Sequence, residues 1–242
     1  MLNNFRNISG TDKIWRSATI YRKNLTDKEK AQLDSLGLDK VFDLRCKSEA
    51  RERPDYIPSG ATYVRLNTIN AQKYRYVLTD LRSRILAGHL VGPFEYKLKK
   101  NKFDSYPAIA DSPVWSEVFA AMDRGEKFLF HCTEGKDRTG FCAVIIEHCL
   151  GIDDDTIMQN YLVSNELRPP KNRQSLKKMG FSQRRIDDIK YAESTHEELL
   201  IHAYNFVNEK YGSLDEMLLK KFDVTEERKA KWKEVYCLGQ GK

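Results

Sequence analysis

With 242 residues, 40% of them hydrophobic and 31% charged, the chain is long enough to bury one domain's core and too mixed for a disordered, collagen-like or low-complexity protein. No apolar run approaches the roughly 20 residues of a membrane span, and Met1 to Arg6 lack the basic-then-apolar layout of a secretory leader, so a cytoplasmic protein without a transmembrane segment is expected. A formal charge of +6 suits anionic partners without demanding nucleic acid, and no nucleic-acid partner is expected.

Thr26-Asp27-Lys28-Glu29 is a capping box, and apolar residues at helical spacing up to Gly37 predict a helix over 27–36. Lys40 to Leu44 and Thr62 to Leu66 read as short strands, with the charged, proline-bearing stretch from Arg45 to Gly60 as a loop between them. Tyr74, Val77, Leu78, Leu81 and Ile85 predict another helix. His89 to Asp111, with Gly92-Pro93, Lys97, Lys99, Lys100, Lys102 and Pro107, has no clean period and reads as a long connection. Ser112 as N-cap and Pro113 at the first helical position predict the next helix, which runs to Gly125. Lys127 to His131 is almost continuously apolar, as in a strand buried on both faces, and a helix from about Thr139 stops at Gly151. From Asp153 onward strand signals vanish, and Thr195, Ser213 and Thr225 stand as N-caps of further helices. The order predicts an α/β fold: a central, mostly parallel sheet flanked by helices over about 1–150, with a helical remainder over about 151–242 in the same domain.

The five cysteines are odd in number and form no C-x-x-C pair, which argues against a disulfide framework or zinc ribbon and for a reducing compartment. Cys132 alone has an arginine six residues later. It lies in His131-Cys132-Thr133-Glu134-Gly135-Lys136-Asp137-Arg138-Thr139-Gly140, between the apolar strand and the apolar helix, where unpaired N–H groups and a helix dipole cradle an anion. Those donors and Arg138 are expected to lower the Cys132 thiol from about 8.5 to about 5–6, making it a nucleophile at neutral pH. Arg138 can hold two phosphate oxygens with its planar fork. Gly135 permits the turn that aims N–H groups inward, and the Thr139 hydroxyl can donate to the departing thiolate. No metal or other cofactor is required by this chemistry.

This stretch resembles the signature loop of cysteine-dependent protein tyrosine phosphatases, in the Gly-Lys-Asp-Arg-Thr-Gly version of the atypical bacterial tyrosine and phosphoinositide phosphatases. Trp15-Arg16-Ser17, Asp43-Leu44-Arg45 and Tyr211-Gly212-Ser213 stand where that family has similar landmarks. The resemblance implies a dual-specificity-phosphatase-like fold, a catalytic Cys132, a phosphate-binding Arg138, and Lys136 and Asp137 facing the substrate. Thr133, Glu134, Gly135, Lys136 and Thr139 are the expected substrate-binding residues, with His131 in support. The implied substrates are phosphotyrosine, phosphoserine or phosphothreonine in proteins, or phosphoinositides, with phosphate as the bound anion.

An acid must protonate the leaving oxygen. The family position after the second strand falls near Asn70, which cannot serve, leaving Asp137, inside the loop, ahead of Asp104 and Asp111. The lysines at 97, 99, 100 and 102 suit either a solvated loop or an anionic membrane surface. Cys46, at the end of a neighbouring strand, is either a small buried side chain or a partner that traps oxidised Cys132. Two rival functions remain: a catalytically weak module that binds phosphoproteins, and a thiol enzyme such as a sulfurtransferase, which has no need of Arg138.

Overall fold

The computed structural model describes residues 2–9, 11–69, 94–167, 177, 178 and 180–237; the helix expected around Tyr74–Ile85 and position Asn70 lie outside them. Five strands form one sheet in the order β1-β2-β5-β3-β4: β1 (Arg6–Asn7), β2 (Ile14–Ser17), β3 (Lys40–Asp43), β4 (Thr62–Arg65) and β5 (Phe128–His131). Only β1 is antiparallel to its neighbour. The expected α/β class is therefore observed, with two short N-terminal strands that the sequence reading did not assign.

Alternation along the central strands explains why both faces are covered. Phe128 and Phe130 of β5 and Phe42 of β3 point into one large core, whereas Leu129 and Val41 point to the other side, against Leu33 of α1 (Asp27–Ser35). The Thr26 box closes α1 as expected, its hydroxyl accepting from the Glu29 N–H and the Glu29 carboxylate accepting in return.

Two stretches expected to be irregular are helical. Lys47–Glu52 forms α2, a single short helix after β3, and Phe94–Ala110 forms α3, 17 residues long with Pro107 inside it. Phe103, Tyr106 and Ala110 of α3 pack on the large core at helical spacing, a pattern that Pro107 and the lysines obscured. The following helix α4 (Trp115–Asp123) starts later than expected: Pro113 and Val114 form the preceding turn, and the Ser112 hydroxyl is buried without a hydrogen-bond partner instead of capping. Then α5 (Asp137–Leu150) follows the Cys132 loop and ends at Gly151 in the left-handed region.

Beyond α6 (Asp154–Leu162) lie α7 (Gln183–Glu193), α8 (Glu197–Tyr211), α9 (Leu214–Phe222) and α10 (Glu226–Tyr236). Ser213 and Thr225 cap α9 and α10 as expected. Thr195 does not cap α8; its backbone is held by the Asn165 side chain and His196 takes the N-cap position. Leu199, Met217 and Trp232 of this C-terminal part join the core that holds Phe42 and Phe130. No helix among the described residues is long and apolar enough to cross a membrane.

Candidate active site

The parallel register sets Ser17, His131 and Asp43 side by side at the carboxyl end of the sheet. Cys132 follows directly, buried at the start of a loop that ends where α5 begins at Asp137. The loop is held from behind by its carbonyls. Thr133 O accepts from the Thr19 N–H at 3.2 Å, and Gly135 O accepts from Asn4 Nδ2 at 2.7 Å and from Arg16 Nη2 at 3.0 Å. A trans peptide sets its N–H opposite its C=O, so the N–H groups of Glu134 and Lys136 point away from these contacts. Gly135 has φ +67°, and a Cβ there would stand 2.5 Å from Ser17 O, so only glycine lets the loop lie against β2.

This arrangement sets the charge on Cys132. Burial pushes the thiol up, but the Arg138 guanidinium and hydrogen bonds from the Thr139 hydroxyl and N–H outweigh it, and the thiol lies below its ordinary value. The Thr139 hydroxyl is buried with no other hydrogen-bond partner. The contrast lies in the same core: burial, with no such donors, pushes Cys149 up to about 12 and Cys142 higher still. All five cysteines are unpaired thiols.

Arg138 is buried and meets Glu49 of α2 end-on, Nη1 to Oε2 at 2.8 Å and Nη2 to Oε1 at 2.9 Å. Desolvation of Glu49 is outweighed by Arg138, which holds the carboxyl at about 2. Thr133 turns its hydroxyl to Glu49 Oε1 at 2.6 Å. Nothing in the sequence reading singled out Glu49; the only local signal is a Cys46-x-x-Glu49 spacing that mimics a capping box with cysteine in place of serine, the Cys46 N–H donating to Glu49 Oε2 at 3.0 Å.

His131 is fully buried between carboxylates. Its Nε2 lies 3.2 Å from Asp55 Oδ2, and although burial disfavours the charged ring, Asp55 and then Asp43 raise its pKa above the ordinary histidine value. Arg45 spans both acids, Nε donating to Asp43 Oδ1 at 2.8 Å and Nη2 pairing with Asp55. The three groups Asp43, Asp55 and His131 are close enough together to resemble a metal site, but Arg45 already pairs with both carboxylates and they favour a positive charge on His131 as well, and the cluster reads as the base on which the loop stands.

Of the acid candidates, Asp137 is the one at the loop. Its Oδ1 accepts from the Tyr106 hydroxyl at 2.8 Å and lies 3.5 Å from Lys102 Nζ, and its Oδ2 lies 3.4 Å from Lys136 Nζ. Asp104 is exposed on α3. Asp111 is pinned by Lys210, Lys221 and the Tyr211 hydroxyl, which overcome its partial burial and hold it at about 2. Lys102 departs from the expectation of a solvated or membrane-facing lysine: it is buried, bonded to Ser194 O, and lowered to about 7 by burial, with Asp137 opposing the shift. Lys136 is likewise buried, and Glu134 is half-buried. Tyr106, Lys102, Asn4 and Asp55 were not legible as site residues, because each reaches the loop from a distant element.

A buried cysteine with a lowered thiol pKa and a buried arginine six residues later thus share one loop at the carboxyl end of a parallel sheet. The chain belongs to the tyrosine phosphatase family: the model of that family matches residues 1–238. It is 30% identical over 174 residues to a predicted tyrosine-protein phosphatase of Cupriavidus necator, a match covering 69% of this chain and 58% of the relative. It is 26% identical over 187 residues to the triple specificity protein phosphatase PtpB of Mycobacterium tuberculosis, covering 69% and 68%, and 26% identical over 159 residues to a tyrosine-protein phosphatase of Nostoc commune, covering 63% and 48%. The matches thus span about half to two thirds of these relatives. Among solved structures it is similar to the Siw14 catalytic core at 14% identity and a TM-score of 0.32, over 86% of this chain and 92% of that one.

Proposed function

We propose that the protein is a cysteine-dependent phosphatase that hydrolyses phosphomonoesters, phosphotyrosine foremost, through a phosphocysteine intermediate. The observation that carries this reading is that Cys132 is the buried thiol whose pKa falls, because Arg138 and Thr139 stand beside it. In the first step the thiolate attacks phosphorus, the S–P bond forms, and the leaving oxygen departs with the Asp137 proton. Arg138 and the loop N–H groups bear the charge on the equatorial oxygens. In the second step water attacks phosphorus, gives its proton back to Asp137, and the S–P bond breaks to a thiolate that Thr139 receives.

Substrate breadth beyond phosphotyrosine, to phosphoserine, phosphothreonine or phosphoinositides, is supported by the name of the mycobacterial relative and by Lys136 at the loop. The five free thiols suit a reducing, cytoplasmic setting. Turnover of an aryl phosphate with no added metal, inhibited by vanadate and abolished in Cys132→Ser, tests the reading; vanadate binding without turnover would instead establish a phosphate-binding module. Phosphopeptides compared with phosphoinositide vesicles then rank the substrates.

A further inference from the structure

We infer, on the phosphatase reading with Asp137 as the acid, that Lys102 is a positioning residue for the catalytic proton: its buried Nζ and the Asp137 carboxyl share one proton, and the leaving oxygen receives it. Asp137 Oδ1 lies 3.5 Å from Lys102 Nζ and accepts from the Tyr106 hydroxyl at 2.8 Å, while Oδ2 lies 3.4 Å from Lys136 Nζ. Two ammonium groups and a phenol around one carboxylate are the surroundings of an anion, yet the first step needs a proton there. Lys102 is placed to supply it. It reaches Asp137 from α3, is 4% exposed, and is fixed by donating to Ser194 O, between α7 and α8.

Burial makes the charge on Lys102 costly. It lowers the ammonium to about 7, with Asp137 opposing the shift and Lys136 adding to it. Two ionisable groups this close lose their protons as a pair. Carboxylate with ammonium and carboxylic acid with amine hold the same proton and the same net charge, so moving it from Nζ to Oδ1 takes nothing from solvent. When the S–P bond forms, the electrons of the breaking P–O bond stay on the leaving oxygen, which takes the proton from Asp137 and leaves a carboxylate beside a neutral amine. Water attacking phosphorus in the second step returns a proton to Asp137 and so to the pair. The neighbouring groups leave this proton to the two residues. The Cys132 thiolate and the Asp137 carboxylate repel each other, which favours a proton on the pair, and Arg138 is taken up by Glu49. Burial pushes the Tyr106 hydroxyl, and that of Tyr161 bonded to it from α6, well above the ordinary value. His202 of α8 stacks on Phe103, and burial lowers its pKa, so that ring is neutral near pH 7. Glu193, the last residue of α7, is buried next to Ser194, and Asp104 is exposed.

The test is the pH dependence of kcat/KM for a phosphotyrosine peptide, whose phenol leaves poorly without a proton. Wild-type activity is expected to fall on the alkaline side with a midpoint near 7, where the pair loses its proton. An aspartate acting alone would put that midpoint near about 4. Lys102→Met leaves Asp137 to hold the proton by itself. The midpoint is then expected to move down by at least about one pH unit, with kcat/KM at pH 7 at least about tenfold lower and the loss shrinking towards about pH 4. Lys102→Arg keeps the charge but gives up no proton, and is expected to lose as much at pH 7. Full activity in Lys102→Arg, equal losses at every pH, or a wild-type midpoint near about 4 would overturn the inference. The wild-type profile decides it where the variants fail to fold. Wild-type protein inactive at every pH would defeat the phosphatase reading and this inference together, whereas an active wild type with an unmoved midpoint in Lys102→Met defeats the inference alone.

Discussion

The Tyr106 hydroxyl donates to Asp137 Oδ1 at 2.8 Å, tying α3 to the first residue of the helix that follows the Cys132 loop. Tyr106 is fully buried, its oxygen also 2.6 Å from the Tyr161 hydroxyl, so the proposed acid is held from below by a packed pair of tyrosines. Asp137→Asn is expected to lower kcat by about 10²- to 10⁴-fold, the ordinary contribution of a positioned acid. Asp104→Asn and Asp111→Asn should leave kcat within about threefold, since Asp104 is exposed on α3 and Asp111 is held by Lys210, Lys221 and Tyr211. Tyr106→Phe should cost about 1 kcal/mol of stability and several-fold in kcat, measured by denaturant unfolding and steady-state kinetics.

Gly135→Ala tests the cradle separately from its charges. The added methyl meets Ser17 O at 2.5 Å in a backbone of φ +67°, so the loop must leave β2 and its N–H groups must diverge. The left-handed conformation alone costs about 1–2 kcal/mol for a residue with a side chain. The expected result is loss of vanadate binding together with a lower Tm, while Gly60→Ala, also at positive φ but with open space around it, lowers Tm without touching vanadate binding.

Much of this site was legible because its chemistry is contiguous. Cys132, Gly135, Asp137, Arg138 and Thr139 lie within eight consecutive residues, between a strand and a helix that hydrophobic runs announce. What escaped notice comes from far along the chain. Asn4 grips Gly135 O from a turn before β1, alongside Arg16 of the landmark triplet, and Glu49 arrives on a helix of six residues whose N-cap is a cysteine. Lys102 and Tyr106 were hidden in a stretch where Pro107 broke the expected helical pattern, although its helix continues through that proline. Local patterning reveals the reacting groups; the residues that aim them are set by tertiary packing.

A second buried network behind the loop gives a pH signature. Glu147 is buried with Oε2 lacking a hydrogen-bond partner, and desolvation, opposed by Arg16, raises its carboxyl to about 7. A group whose folded pKa is raised binds its proton more tightly in the native state, so this contribution to stability is complete below about 4.5 and is lost as pH rises through about 7. Glu147→Gln should therefore flatten the dependence of unfolding free energy on pH between about 4.5 and 7, by an amount on the order of 1–3 kcal/mol. Parallel slopes for the two proteins across that range would contradict the assignment.

A phosphoryl group carried on Cys132 is detected most directly by acid-quenching the enzyme during turnover of an aryl phosphate and mapping the modified peptide by mass spectrometry. A phosphoryl adduct is expected on the peptide containing Cys132, and none in Cys132→Ser. Undiminished turnover in Cys132→Ser, or a phosphoryl group found on any other residue, would contradict a phosphocysteine intermediate.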